Sequence, residues 1–209
     1  MSSNRAPAEV KSRLDFWQAL SGAVLALFIS VHLVLEGSVV LSPVITNGIG
    51  WLLEATYIAH IAAPVLVLII IAHFIIAARK MPFRCGEFGL FVRHSARLKD
   101  ADTALWIVQV VTAIVILAGA FSHVFTVMTS MPIEVSGSAA RLHEGWIFFH
   151  AVFLPCVILH TGIGVYRLAV KFGICSKAKR DKVRMVIWIV MGCYLLLGAC
   201  ALTRVWFLG

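Results

Sequence analysis

Five apolar runs, each long enough to cross a lipid bilayer, constrain this chain more than anything else in it. They fall at about 17–41, 51–78, 103–131, 145–170 and 185–208. A bilayer crossing needs roughly 20 apolar residues as a helix, or about 10 as a barrel strand. Backbone polar groups in lipid must be satisfied within the spanning structure, so runs of this length imply helices. With 61% hydrophobic and 13% charged residues, the chain lies well below the charged content of about 25% usual for soluble domains. The expected fold is all-α: one five-helix integral membrane domain over residues 1–209, with spans one to four as a four-helix bundle.

The net charge of +8 invites a nucleic-acid reading, but its distribution points to lipid instead. Of the 18 lysines and arginines, all but Arg141 and Arg204 lie in the N-terminus, in loop 79–102 or in the stretch 167–184. By the positive-inside rule these segments are cytoplasmic, which puts the N-terminus inside and the C-terminus outside; the expected location is the cell's inner membrane. Trp17, Trp106 and Trp188 then fall at inner span ends, and Trp51, Trp146 and Trp206 at outer ends, as in an aromatic belt. Cysteines at 85, 156, 175, 193 and 200 form neither CxxC nor CxxCH, so iron–sulfur ligation and covalent haem attachment are not expected. Glu9 and Asp15 precede the first run without a small-residue cleavage site, so no cleaved signal peptide is expected.

Ligating groups inside spans are costly and mark function by default. Six histidines lie there: His32, His60, His73, His123, His150 and His160. His160 shares a helical face with Arg167 and Lys171, seven and eleven residues on, and His73 shares one with Lys80. An imidazole below a cationic rim suits a haem, with nitrogen on iron and cations on the propionates. The structural alternative is a histidine hydrogen-bonded between helices, with interfacial cations above it. Depth sorts the rest: at about 1.5 Å per residue, His73 and His160 lie roughly 10 Å from the cytoplasmic end, while His32 and His123 lie roughly 22–25 Å from it. Four helices thus supply one histidine each at two depths, pairing His73 with His160 and His32 with His123. Each pair would hold one haem b from both sides, leaving no open position and pointing to electron transfer. The two irons would stand roughly 12–16 Å apart. Same-helix pairs (His60 with His73, His150 with His160) are separated by about 220° and 280° around their helices and share no face. His60 and His150 are expected to line an outer cavity or bond a neighbouring helix, and His94 and His143 to be interfacial.

These residues sit in blocks that resemble a known family. The blocks are Leu14-Asp15-Phe16-Trp17-Gln18 leading to His32; Ile71-Ala72-His73 through Ala78-Arg79-Lys80-Met81-Pro82; Asp102-Thr103-Ala104-Leu105-Trp106 leading to His123; and Leu159-His160 through Tyr166-Arg167-Leu168-Ala169-Val170-Lys171. The chain resembles the dihaem cytochrome b subunit of menaquinol:fumarate reductases and succinate:menaquinone reductases, in its five-helix form. The resemblance implies the same ligand pairs. It also implies that Gln18, Trp106 and Lys171 hold the inner propionates and Arg141 the outer ones. It further implies that menaquinol is oxidised near the outer face, that electrons leave for a cytoplasmic iron–sulfur subunit, and that a flavoprotein subunit beyond reduces fumarate or works in reverse. The family's plan also admits a dimer of heterotrimers. Two positions depart from familiar relatives: Ala19 replaces a serine beside the glutamine, and Ile158 replaces a glutamate proposed to carry protons with the electrons.

Quinol oxidation releases protons and needs a base within reach. Glu36, one turn past His32, and Glu54, at the start of the second span, are the carboxylate candidates, with His60 a third. A cytochrome b of a hydrogenase or formate dehydrogenase, and a haem-free transporter or scaffold, remain the competing readings; haem content separates the latter.

Overall fold

The computed structural model describes residues 5–81, 87–98 and 101–209. Cys85 lies outside them, as do the side chains of His94 and Lys177. The described elements are helical: α1 (Arg5–Gly37), α2 (Pro43–Ala55), α3 (Ile58–Ala78), α4 (Glu87–Leu98), α5 (Ala101–Thr129), α6 (Val135–Arg141), α7 (Ile147–Lys171) and α8 (Arg180–Trp206), with short 3₁₀ turns at Ser38–Val40 and Lys177–Lys179. Five segments have the length and apolar character of membrane spans: Arg13–Val40, Ile58–Ala78, Ala101–Thr129, Val135–Lys171 and Arg180–Trp206.

The second span differs from the helix expected over 51–78. A separate helix, α2, occupies the segment read as a loop at 42–50. Its start is encoded locally: Ser42 is extended and accepts the Val44 N–H at 3.2 Å, and Pro43 takes the first helical turn, where its missing N–H costs nothing. At the other end Tyr57 turns left-handed, with φ of 58°, before α3 begins. The connection before the fourth span is also more ordered than expected. It contains α6 and a π turn, Leu142–Trp146, in which Gly145 has φ of 103°. Only glycine adopts that backbone without strain.

α1 packs on α3, α3 on α5, α5 on α7, and α7 back on α1, while α8 lies against α1 and α7. Large apolar side chains such as Leu27, Leu68, Phe125 and Leu196 face outward, as lipid-facing residues do. With no hydrophobic force between helices in lipid, small residues and close packing hold them together. A Cβ on Gly119 of α5 would stand 2.5 Å from the Phe153 ring of α7. Gly119→Ala is therefore expected to cost about 1–3 kcal/mol by overpacking. The check is thermal unfolding in detergent, and an unchanged Tm would contradict this contact. Hydroxyls within the spans are satisfied by carbonyls one turn back, as in Ser30 to Ala26 (2.8 Å), Thr112 to Val108 (2.8 Å) and Thr203 to Ala199 (2.8 Å).

Candidate functional site

The ring of helices encloses a cavity of about 960 Å³. His32, His73, His123 and His160 all line it, one each from α1, α3, α5 and α7. The cation-bearing ends of α3 and α7 close it at one end, where Gln18, Lys80, Trp106, Arg167 and Lys171 contribute to its wall. A second cleft, of about 740 Å³, shares Lys80, Trp106, Arg167 and Lys171 with it.

At this basic end Asp15 of α1 gathers the cations. It pairs with Arg79 and with Lys80 at 2.8 Å. Lys80 also donates to Gln18 Oε1 at 2.9 Å, and Lys171 donates to the Asp15 carbonyl at 2.7 Å. The wall here carries Lys80, Arg167 and Lys171 against the single carboxylate Asp15, an excess of two positive charges. Nearby, Asp102 accepts from Tyr166 Oη (2.9 Å) and pairs with Arg180 (3.2 Å), joining α5 to α7 and α8.

The two histidines closest to this end are tethered through Nδ1. His160 Nδ1 lies 3.1 Å from the Gln109 carbonyl oxygen and 3.2 Å from Thr112 Oγ1. A carbonyl only accepts, so Nδ1 carries the proton and Nε2 keeps its lone pair. His73 Nδ1 lies 2.9 Å from Ser21 Oγ, whose own proton is taken by the Trp17 carbonyl at 2.7 Å. In both rings the nitrogen left for a metal is Nε2.

Toward the opposite end, the His32 and His123 rings are 6.1 Å apart, centre to centre, at 72°. Two imidazoles sharing one metal, each with a bond of about 2 Å and a ring radius of roughly 1.1 Å, would span close to this distance. His32 stacks on Phe28 at 5.5 Å and 14°, and His123 packs against Phe153 at 6.1 Å. Arg141 projects into the cavity wall, donating to Ser130 Oγ (2.9 Å) and Ser138 Oγ (3.0 Å). The donor chemistry fits haem: imidazoles from four helices on one cavity wall, a surplus of cations at one end, and a pinned guanidinium at the other. Among the described residues no three histidine, cysteine or acidic side chains converge to hold a bare metal ion.

The other expected residues separate. Glu36 lines the cavity. Glu54 does not; its Oε1 accepts the Ile133 N–H and fastens α2 to the segment before α6. His150 lines the cavity 5.8 Å from the His123 ring. His60 is exposed, 5.8 Å from the Tyr57 ring, and is not part of the wall. His143 donates through Nε2 to the Trp206 carbonyl at 3.0 Å and stacks on that indole, fastening the end of α8. Ile158 is 3% exposed, packed in α7 beside Val157. Sequence reasoning did not single out Ser21, Gln109, Thr112, Ser130 or Ser138. For Ser21, Thr112 and Ser130 the available signal was a hydroxyl inside an apolar run; Gln109 acts through its backbone carbonyl, which no residue type announces.

Five bilayer-length helices around a histidine-lined cavity define a multi-pass membrane protein with an internal binding site. The chain belongs to the succinate dehydrogenase/fumarate reductase transmembrane subunit family, whose model matches residues 90–199, more than half of the chain. It is 29% identical over 201 residues to the fumarate reductase cytochrome b subunits of two Helicobacter pylori strains, covering 91% of this chain and 79% of theirs. It is 28% identical over 190 residues to that of Wolinella succinogenes, covering 86% and 74%.

Proposed function

We propose that the chain is the dihaem cytochrome b anchor of a menaquinol:fumarate reductase in the inner membrane. His73 and His160 hold one haem b and His32 and His123 the other. The observation that carries this reading is one cavity to which each of four helices brings a histidine, His32, His73, His123 and His160, with His150 of α7 as a fifth on its wall. When bound, each haem supplies one-electron exchange between ferric and ferrous iron. Gln18, Lys80, Trp106, Arg167 and Lys171 neutralise and orient the propionates at the basic end. Arg141, held by Ser130 and Ser138, does the same at the other. Glu36, on the cavity wall one turn past His32, takes a proton from menaquinol, and the carboxylate of Glu54 is already committed to the Ile133 amide. The basic end faces the cytoplasm and receives an iron–sulfur subunit, with a flavoprotein subunit beyond it as the site of fumarate reduction. Two such heterotrimers pairing as a dimer remain compatible with this plan. The test is a pyridine haemochrome assay on the purified protein, expected to give two haems b per chain that menaquinol reduces. No haem in folded protein would overturn the reading.

Ile158 adds a consequence. An aliphatic side chain at a buried place in α7 cannot relay protons, so either another group serves or charge crossing the subunit is uncompensated, and we propose the second. Each such charge is worth about 2.3 kcal/mol per 100 mV. Turnover in proteoliposomes is expected to build a membrane potential that a voltage-sensitive dye reports and an uncoupler collapses; electroneutral turnover would refute this.

A further inference from the structure

We propose that Ser21 is a positioning residue for the inner haem ligand His73, fixing its tautomer, ring orientation and basicity, and that Gln109 and Thr112 do the same for His160. This rests on the reading of His73 and His160 as iron ligands. The Ser21 hydroxyl has one proton, and the Trp17 carbonyl, 2.7 Å away, takes it. With His73 protonated at Nδ1, as His160 is, the Ser21 lone pair 2.9 Å away accepts that proton, alongside the backbone of Gln18. The contact is enforced by packing: a Cβ on Gly22 would stand 3.1 Å from His73 Cε1, so α1 lies directly against the ring. On the opposite wall the Gln109 carbonyl and the Thr112 hydroxyl share the Nδ1 proton of His160. Thr112 donates its own proton to the Val108 carbonyl at 2.8 Å, so it too is an acceptor.

A histidine that ligates metal through one nitrogen gains basicity when the other donates a hydrogen bond. A more basic ligand stabilises ferric over ferrous iron and so lowers the potential of that haem. Among the described residues no hydrogen bond reaches the rings of His32 or His123, which are held by Phe28, Phe153 and His150 through ring contacts. The two haems therefore differ in ligand support, and a change at Ser21 should be felt by one of them.

The experiment is a spectroscopic redox titration of the purified full-length protein with the partners that co-purify. Ser21→Ala is expected to shift one of two haem transitions upward, with a roughly tenfold loss of ferric preference, about 59 mV for one electron. The other transition stays in place. Ser21→Thr keeps the hydroxyl and is expected to restore most of the shift. Thr112→Val is expected to act more weakly, because the Thr112 contact, at 3.2 Å, is longer than the Gln109 carbonyl contact that remains, whereas Ser21 stands at 2.9 Å. Should Ser21→Ala not assemble, Ser21→Cys, a weaker acceptor of similar size, carries the same expectation. Unmoved transitions in a variant with two haems, equal movement of both, or equal shifts in Ser21→Ala and Ser21→Thr would each overturn the proposal while leaving the ligand assignment standing. Absence of haem from the wild-type protein would instead remove that assignment.

Discussion

His32→Ala and His73→Ala are each expected to lower the haem content from two per chain to one, and the double variant to abolish it. The reason is geometric. Each proposed haem lies between two helices that supply one imidazole each, so removing either imidazole leaves the iron with a single protein ligand and opens a hole on one side of the cavity. His123→Ala and His160→Ala are expected to behave as their partners do. His60→Ala should keep both haems, because that ring is exposed and not part of the wall. His150→Ala is the sharper control: its ring lies as close to His123 as His32 does, 5.8 Å against 6.1 Å. Two haems surviving His32→Ala but not His150→Ala would reassign the outer ligand to His150. The readout is haem per chain from the pyridine haemochrome, with the low-spin spectrum as a second measure.

The second large effect is expected at Glu36. A base positioned to take a proton in the rate-limiting step contributes typically 10²–10⁴-fold. Glu36→Gln keeps the shape and removes the charge, so quinol oxidation is expected to fall by about that factor. Haem content should stay at two, and dithionite should still reduce both. Glu54→Gln should behave differently. Its oxygen holds the Ile133 amide, and an amide oxygen can still accept that bond, so activity should be largely retained. Equal losses in the two variants would remove the assignment of Glu36 as the quinol base.

Much of this site could be read in the sequence because polar groups in an apolar helix are conspicuous. Histidine depth, counted from span ends, picked out four residues that line one cavity, though His150, which it set aside, lines it too, and helical phase put Lys80 and Lys171 at the same end as Gln18. What remained hidden depends on helices meeting. Ser21 bonds backward to Trp17 like any serine in a span; that it also faces His73 follows from the close approach of α1 and α3. Thr112 reads the same way until α5 meets α7. The segment 42–55 was hidden for another reason. Its glycines and Pro43 resemble a loop, yet Ser42 and Pro43 form a helix start, and the reversal is made by Tyr57, which carries no turn signature. His60, three residues past that reversal, is exposed beside the Tyr57 ring.

The gathering of cations around Asp15 has a consequence for how the protein is made. Asp15 is among the first residues of the spanning region to leave the ribosome, and Lys171, which closes on its carbonyl, is synthesised 156 residues later. Until that lysine emerges, the basic mouth of the cavity lacks one side. Biosynthesis therefore leaves a time window, after the first three spans are in place and before the fourth is complete, in which a large planar molecule has an open route between the helices. The last turn of α7 then shuts it.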